Sequence, residues 1–294
     1  MRCFRFYIPA IAPLLASCAT SQPTVDNDSE VAQIVAPGLI STREADEIKL
    51  AETPDGCQQV WGSVGRSGRG ELDLWERHRM ADGTWSRPAP LAINGPGEDF
   101  DPAFSPDGGK LYFHSDRPGG LGGTDIYVSD RTNAFEFSEP RNLGASIDSA
   151  GHEWAPWPLA DGTLLFASDG WGGAGRHDLF HGDPKSEDGP RALECAINGP
   201  LSEFDPALSA DGRTLVFSRG LYGPDSEDFG VWRSDLLNGA WSKPIPLAIG
   251  CGTYTIGLAF LPGGDFSFSS RCPDPARASM VILRMSRDGL DSAS

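Results

Sequence analysis

The sequence predicts an all-β protein, namely a β-propeller of five four-stranded blades closed by an N-terminal strand. One phrase carries most of this prediction. Asp101–Gly108 and Asp205–Gly212 read almost alike, and shorter forms recur about every 52 residues. The segments between these marks hold Gly and Asp turns and lack helical periodicity. Because a single blade cannot bury both of its faces, such a period requires neighbouring blades.

Each repeat opens with a strand that ends in a tight turn built on Asp-Gly or Gly-Gly. Asp bonds its own backbone in such a turn, and Gly adopts a positive φ without steric cost. The five turns are Pro54-Asp55-Gly56, Pro106-Asp107-Gly108, Ala160-Asp161-Gly162, Ala210-Asp211-Gly212 and Pro262-Gly263-Gly264.

A second, a third and an outer fourth strand follow each turn. The second strand is marked by an aromatic residue near its end: Trp61, Phe113, Phe166, Phe217 and Phe268. The third strand is a short apolar run that begins near Asp73, Asp125, Asp178, Gly230 and Val281. The fourth strand is indicated by an aromatic-Ser-x-Pro sequence before an apolar pair, starting at Trp85, Phe137 and Trp241.

The last repeat stops soon after its third strand, near Met285, and the apolar segment Val31–Ile40 has no blade of its own. We expect this segment to supply the missing outer strand of the last blade. Closure of the ring in this way removes sheet edges that would otherwise invite aggregation.

The repeat resembles the WD-like repeat of TolB-type propellers, through the phrase Asp101–Phe113. The loop Ser115–Tyr127 is similar to a version found in exported bacterial envelope proteins. The resemblance covers residues 44–286 and implies a propeller that recognises partners. The chain departs from TolB in its number of blades, since TolB propellers have six. The partner contacts of that family are therefore not transferred to this chain.

The N-terminal residues are predicted to be an export signal. Arg2 and Arg5 precede the apolar run Phe6–Ala16, which is too short to span a bilayer. Leu15–Cys18 matches the lipobox of bacterial lipoproteins, so Cys18 is the predicted lipidation site; the alternative is an ordinary secretory signal. We therefore divide the chain into a signal peptide (1–17), a tether (18–30) and the propeller (31–290). By family analogy, Ala19 after the cysteine favours the outer membrane, facing the periplasm.

The charge of the chain limits its partners. Without residues 1–17, 22 basic and 41 acidic side chains remain, a net charge of −19. This surface disfavours nucleic acid and anionic lipid headgroups, so we expect contact with the membrane only through the anchor. Envelope proteins, peptides or glycans are the expected partners, and no cofactor is expected.

The remaining cysteines suggest one disulfide. Cys251 and Cys272 lie in two connections on one face of the fifth blade, which predicts a bridge between them; two free thiols are the alternative. Cys195 follows Leu91 and Leu143 at the repeat spacing and is predicted to be a buried free thiol. No Cys/His zinc spacing occurs, and no metal site is predicted.

Four carboxylates fall just before the first strands of their blades: Glu47, Asp99, Glu153 and Glu203. First strands line the channel of a propeller, so these acids are candidates for a ligand-binding ring at one mouth. The alternative is structural, because a repeated acid in a repeated turn commonly accepts backbone amides. Asp101 and Asp205 before proline are interpreted as strand-entry residues, although five-bladed glycosidases use inward-facing carboxylates.

The third repeat departs from the others. His152, Trp154 and Trp171 occur there alone, and clustered aromatics at a channel mouth suit a sugar or a peptide. His177 and His181 share a face of a strand, but no third metal ligand is evident. No catalytic constellation is predicted. A binding module for a protein, peptide or cell-wall partner is the leading hypothesis, and a glycan hydrolase or lyase acting through channel-mouth carboxylates is the alternative.

Overall fold

The computed structural model describes residues 32–223, 226–250, 254–271 and 279–293. These residues form five small antiparallel sheets arranged as a five-bladed β-propeller. The first strands of successive blades contact one another in a closed circle around the axis. The predicted fold class is therefore confirmed. Cys18 and the predicted signal peptide and tether lie outside the described residues.

The strands follow the predicted repeat. The first blade contains β2 (Asp46–Glu52), β3 (Gln58–Val64), β4 (Leu72–His78) and β5 (Ala89–Pro90). The second contains β6 (Asp99–Phe104), β7 (Lys110–Ser115), β8 (Asp125–Asp130) and β9 (Arg141–Asn142). The third contains β10 (Glu153–Pro158), β11 (Leu164–Ser168), β12 (Asp178–Gly182) and β13 (Arg191–Ala192). The fourth contains β14 (Ser202–Leu208), β15 (Thr214–Gly223), β16 (Ser226–Leu237), β17 (Ala240–Trp241) and β18 (Ile245–Leu247).

The fifth blade closes the ring with a strand from the other end of the chain. Its own strands are β19 (Thr255–Phe260), β20 (Phe266–Ser270) and β21 (Val281–Met285), and β1 (Gln33–Ile34) pairs antiparallel with β21. The predicted N-terminal closure is thus confirmed. A short helix, α1 (Arg287–Ser292), follows, and its Leu290 packs into the core of the last blade.

The second strand of every blade carries a fully buried aromatic residue at a position that pairs with the third strand. These residues are Trp61, Phe113, Phe166, Phe217 and Phe268. Each forms part of an apolar cluster shared between strands or with the neighbouring blade. Burial of such side chains is the main source of stability in a fold whose blades cannot stand alone.

The glycines of the predicted turns adopt the expected backbone. Gly56, Gly108, Gly162 and Gly212 have φ between 65° and 88°. In the second blade, Asp107 accepts hydrogen bonds from the hydroxyl of Ser105 and the N–H of Gly109, which fixes the hairpin. Among the described residues, no helix is long and apolar enough to cross a membrane.

The predicted leucine column needs one correction. In the third blade it is Leu193, not Cys195, whose N–H bonds the third strand as Leu91 and Leu143 do. Cys195 lies two residues further on and is exposed and free, so the prediction of a buried thiol is wrong. Equal spacing misled because the third repeat has a shorter blade and longer flanking connections, and these length changes compensate.

Candidate functional site

The four carboxylates of the predicted ring are turned into the junctions between blades. Glu47, Asp99, Glu153 and Glu203 are all 0% exposed. The last three each accept the N–H of the residue four positions earlier, at 2.5, 2.8 and 3.1 Å. These bonds fix the connection that enters each blade. A ligand in the channel therefore does not reach these carboxylates in this structure.

Three of these carboxylates pair with an arginine of the same blade, which follows the second strand (Arg66, Arg117) or lies within it (Arg219). Arg66 Nε lies 2.6 Å from Glu47 Oε1, and Arg219 Nε lies 2.8 Å from Glu203 Oε1. Arg117 pairs with Asp99 through its Nη2. The guanidinium groups also lie over the aromatic rings of the second and third strands, at 4.9 to 5.7 Å from the centroids. Burial raises the pKa of Glu47 and Glu203, and the arginine partners oppose that rise.

The third blade has Trp171 where the first, second and fourth blades have arginine. Its indole Nε1 donates to the carbonyl of Ile147 at 2.9 Å, and its ring packs against the cluster that contains Phe166 and Phe180. Glu153 is left with hydroxyl partners, Ser149 and Ser168, both 2.6 Å from Oε1. Desolvation accordingly raises the pKa of Glu153.

Two further acids lie beside Glu153. Within the described ranges, Asp125, Asp148 and Glu153 are the group of carboxylates whose oxygens lie close enough to hold a metal ion. Asp148 is 1% exposed. Burial raises its pKa to about 8, and the neighbouring charges of Asp125 and Glu153 add to the rise. The sequence reasoning missed Asp125 and Asp148.

A second set of residues lines the channel at one level, and we call it the inner ring. It is formed by Lys49, Asp101, Ala155, Asp205 and Gly257, one from the first strand of each blade. All five have a positive φ, between 49° and 67°, and each lies at an irregularity in the pairing of the first and second strands. Such a bulge turns the side chain out of the blade.

The inner ring holds a buried group of charges. Lys49 is 0% exposed and its Nζ lies 3.7 Å from Asp205 Oδ1. His114 Nδ1 lies 3.4 Å from Asp101 Oδ2. Burial and the charge of Asp101 raise the pKa of Asp205 to about 6, whereas His114 and Lys49 lower the pKa of Asp101 against its desolvation. Because Asp101 and Asp205 both have charged partners here, we interpret them as structural residues of the channel.

The residue before each inner-ring position is large and apolar, and we call this set the apolar ring. Its members are Ile48, Phe100, Trp154, Phe204 and Ile256. Contacts run from blade to blade: the rings of Trp154 and Phe204 are 5.7 Å apart, and Ile48, Phe100 and Ile256 share one cluster. Trp154, Phe204 and Ile256 are only partly buried. This mouth of the channel therefore presents an aromatic surface to solvent.

The residues that single out the third repeat divide between these two places. His152 and Trp154 lie at the mouth, with ring centroids 5.3 Å apart. Glu153, between them, points the opposite way because neighbouring side chains in a strand alternate faces. Trp171 lies at the junction that contains Glu153. The sequence therefore grouped residues from two different sites.

His177 and His181 do not share a ligand position. His177 is 1% exposed and stacks on Trp154, with ring centroids 4.8 Å apart, whereas His181 bonds the hydroxyl of Thr163. Burial lowers the pKa of His177 to about 4. Cys251 and Cys272, the predicted disulfide, lie outside the described residues, and Cys57 is disulfide-bonded.

Comparisons with known proteins support the fold. No protein-family model matches the chain, and no curated protein matches it. Among solved structures, TolB from Acinetobacter baumannii is similar, with a TM-score of 0.51 and 19% identity over 83% of this chain and 53% of that one. The chain thus spans about half the length of that TolB.

Two more structures share the architecture. The putative TolB from Agrobacterium tumefaciens gives a TM-score of 0.52 and 18% identity, over 83% of this chain and 78% of that one. The endo-arabinase from Bacteroides thetaiotaomicron gives a TM-score of 0.52 and 14% identity, over 86% of this chain and 97% of that one. At such identities the similarity establishes the propeller fold alone.

Proposed function

We propose that the chain is a binding module of the bacterial cell envelope that docks a protein, peptide or cell-wall partner on the apolar ring. One observation carries the proposal: Trp154 and Phe204 lie partly exposed at the channel mouth, in contact with each other and with histidines. Aromatic side chains with a polar neighbour are typical of recognition sites, because they offer a large contact area at low entropic cost.

The buried charges beneath the mouth support a rigid platform. Lys49, Asp101 and Asp205 occupy the channel directly below the apolar ring and bond across blades, for example through the N–H of Gly257 to Asp205 at 2.9 Å. The side chains above them are therefore held in place before a partner arrives. Preorganisation of this kind reduces the entropic cost of binding.

The localisation is part of the proposal. Lipidation at Cys18 would hold the propeller at the outer membrane, facing the periplasm, on the tether 18–30. A globomycin-sensitive processing step is the expected result, measured as accumulation of the unprocessed form in treated cells. Processing that globomycin does not inhibit would indicate an ordinary secretory signal instead of a lipoprotein signal.

The docking site is tested by comparing two tryptophan variants. Trp154→Ala should lose the envelope proteins or peptidoglycan fragments that the unaltered chain retains. Trp85→Ala should keep them, since Trp85 is partly buried on the outer edge of the first blade against Arg77 and Arg79. Retention of the same partners at the same affinity by Trp154→Ala would contradict the proposal.

The alternative of a glycan hydrolase or lyase has less support. The four carboxylates on which it depends are buried and bonded, as described above. Its test is turnover of a polysaccharide panel by the unaltered chain and by Glu153→Gln. Activity that disappears with Glu153→Gln would restore this alternative.

A further inference from the structure

The junction between the second and third blades gathers three buried carboxylates. Asp125 opens β8, Asp148 lies in the connection between the blades, and Glu153 opens β10. One oxygen from each lies within 4.8 Å of the others. Their exposed fractions are 1%, 1% and 0%. Three ionised carboxylates this close together, and buried away from water, repel one another unless another group compensates their charge.

Asp148 stands where the neighbouring junctions have asparagine. Asn94 and Asn198 each span the backbone of a third strand: Oδ1 accepts an N–H at 3.0 and 2.9 Å, and Nδ2 donates to a carbonyl at 2.9 Å. Asp148 Oδ1 accepts the N–H of Ile126 at 2.8 Å. Its Oδ2 is buried and meets no hydrogen-bond donor. This oxygen is the unpartnered atom of the cluster.

The same junction has also lost its arginine. Arg66, Arg117 and Arg219 neutralise the carboxylate in their blades, and Trp171 replaces them in the third. At the neighbouring junction of the first and second blades, Arg117 pairs with Asp99, and Arg69 Nη1 donates to the carbonyl of Asn94 at 3.1 Å. The junction of the second and third blades instead combines three carboxylates with an indole. Asp148 in place of asparagine and Trp171 in place of arginine both make the local charge more negative.

We propose that a divalent cation of the calcium type binds between Asp125, Asp148 and Glu153 and takes the place of the guanidinium. The donor atoms are all oxygens: the three carboxylates and the adjacent hydroxyls of Ser149 and Ser168. Ca²⁺ prefers such oxygen sets and tolerates irregular geometry. The cation links the strand ends of two blades.

This site is distinct from the docking surface of the proposed function. Glu153 faces the junction, whereas Trp154 faces the mouth, so each is altered without removing the other. Failure of the cation test leaves the docking proposal intact, and the reverse also holds.

The test is the melting temperature of the full chain, freed of metal with a chelator and then titrated with CaCl₂ and, separately, MgCl₂. We expect a saturable rise of about 5 °C or more at a concentration about 100 times Kd. Calorimetric titration should give one Ca²⁺ per chain. A melting temperature that does not respond to either ion would overturn the proposal.

Three variants make the result specific. Asp148→Asn copies Asn94 and Asn198, and Trp171→Arg supplies a guanidinium at the position of Arg66; both should fold and lose the Ca²⁺ response. Glu187→Gln, which removes one exposed charge from the same blade, should keep it. A response that is equal in Asp148→Asn and in the unaltered chain would place the ion elsewhere and contradict the assignment. So would an Asp148→Asn variant that is more stable than a cation-indifferent parent, since Asp148 would then carry a proton instead.

Discussion

Trp171 occupies the place that Arg117 holds in the preceding blade. The indole Nε1 donates to the carbonyl of Ile147 at 2.9 Å, and the guanidinium of Arg117 donates to the carbonyl of Ile93 at 3.1 Å. The two side chains therefore make equivalent backbone bonds at successive junctions. Only the arginine also carries the charge that its carboxylate requires, and this difference sets the third blade apart.

The arginine–carboxylate pairs should be essential for stability. Removing the guanidinium with Arg219→Met leaves Glu203 buried and uncompensated, so the free energy of unfolding should fall by about 3–5 kcal/mol. Urea denaturation measures the loss. Arg191→Met, at an exposed position, should change it by less than about 0.5 kcal/mol. If Arg219→Met and Arg191→Met lower the free energy of unfolding equally little, the pair does not have this role. Adding Glu203→Gln to Arg219→Met should recover part of the loss.

The lysine of the inner ring should be equally important. Lys49→Met removes the cation that lies near Asp101 and Asp205, with an expected loss of about 3–5 kcal/mol in the free energy of unfolding. Adding Asp205→Asn to Lys49→Met should restore stability in part, because the amide needs no counter-charge. A double variant no more stable than Lys49→Met, by urea denaturation, would argue against a charge-based role.

The left-handed backbone of the inner ring predicts a stabilising glycine. Ala155 has φ of 52°, in the position that Gly257 fills in the fifth blade. Because a left-handed conformation costs a residue with a Cβ roughly 1 kcal/mol, Ala155→Gly should be neutral or stabilising. Ala207→Gly, in an ordinary strand position two residues beyond the inner ring, should destabilise. Thermal unfolding distinguishes the two variants. Equal losses of melting temperature in Ala155→Gly and Ala207→Gly would show that the backbone at Ala155 is not strained.

His177 should make the fold sensitive to acid. Its pKa is about 4 in the folded chain against an ordinary value of 6.5, through burial first and then the charges of Arg176 and His152, with Asp169 opposing. Below pH 6.5 the unfolded state takes up a proton that the folded state does not. The contribution is therefore complete above pH 6.5 and is lost as the pH falls to about 4, by up to about 3 kcal/mol.

The matched variants isolate this effect. His177→Gln should flatten the fall in melting temperature between pH 6.5 and pH 4.5. His181→Gln, whose imidazole bonds Thr163, should leave the slope as it is. Parallel slopes in all three proteins would assign the acid sensitivity to other groups.

The sequence predicted the scaffold well because each mark of the repeat is a local requirement. The Asp-Gly turns, the buried aromatic of each second strand and the spare segment before the first blade are all readable without tertiary contacts. Cys195 was misplaced because the shorter third blade and its two longer flanking connections cancel in length. Spacing alone does not reveal such a compensation, whereas the backbone bond of Leu193 does.

The site was only partly predictable. A column of acids is visible in the sequence, but not the face of the strand on which each side chain lies, so Glu153 and Trp154 were grouped together. The sequence did not predict that Lys49 lies in the channel, because a lysine in an apolar strand is ordinarily exposed at an edge. Arg66, Arg117 and Arg219 lie 19, 18 and 16 residues after their carboxylates, so Trp171 has no single aligned position to share with them. Only the replacement of asparagine by Asp148 was visible in the aligned repeats. Its meaning required the distances between Asp125, Asp148 and Glu153.

The most direct measurement of the proposed docking surface is photocrosslinking in intact cells. Benzoylphenylalanine in place of His152 lies beside Trp154 at the mouth, and the same residue in place of His78 lies beside Phe135 on the outer part of the first blade. We expect a discrete crosslinked product from position 152 that is absent from position 78. No product at position 152, or the same product at both positions, would contradict it.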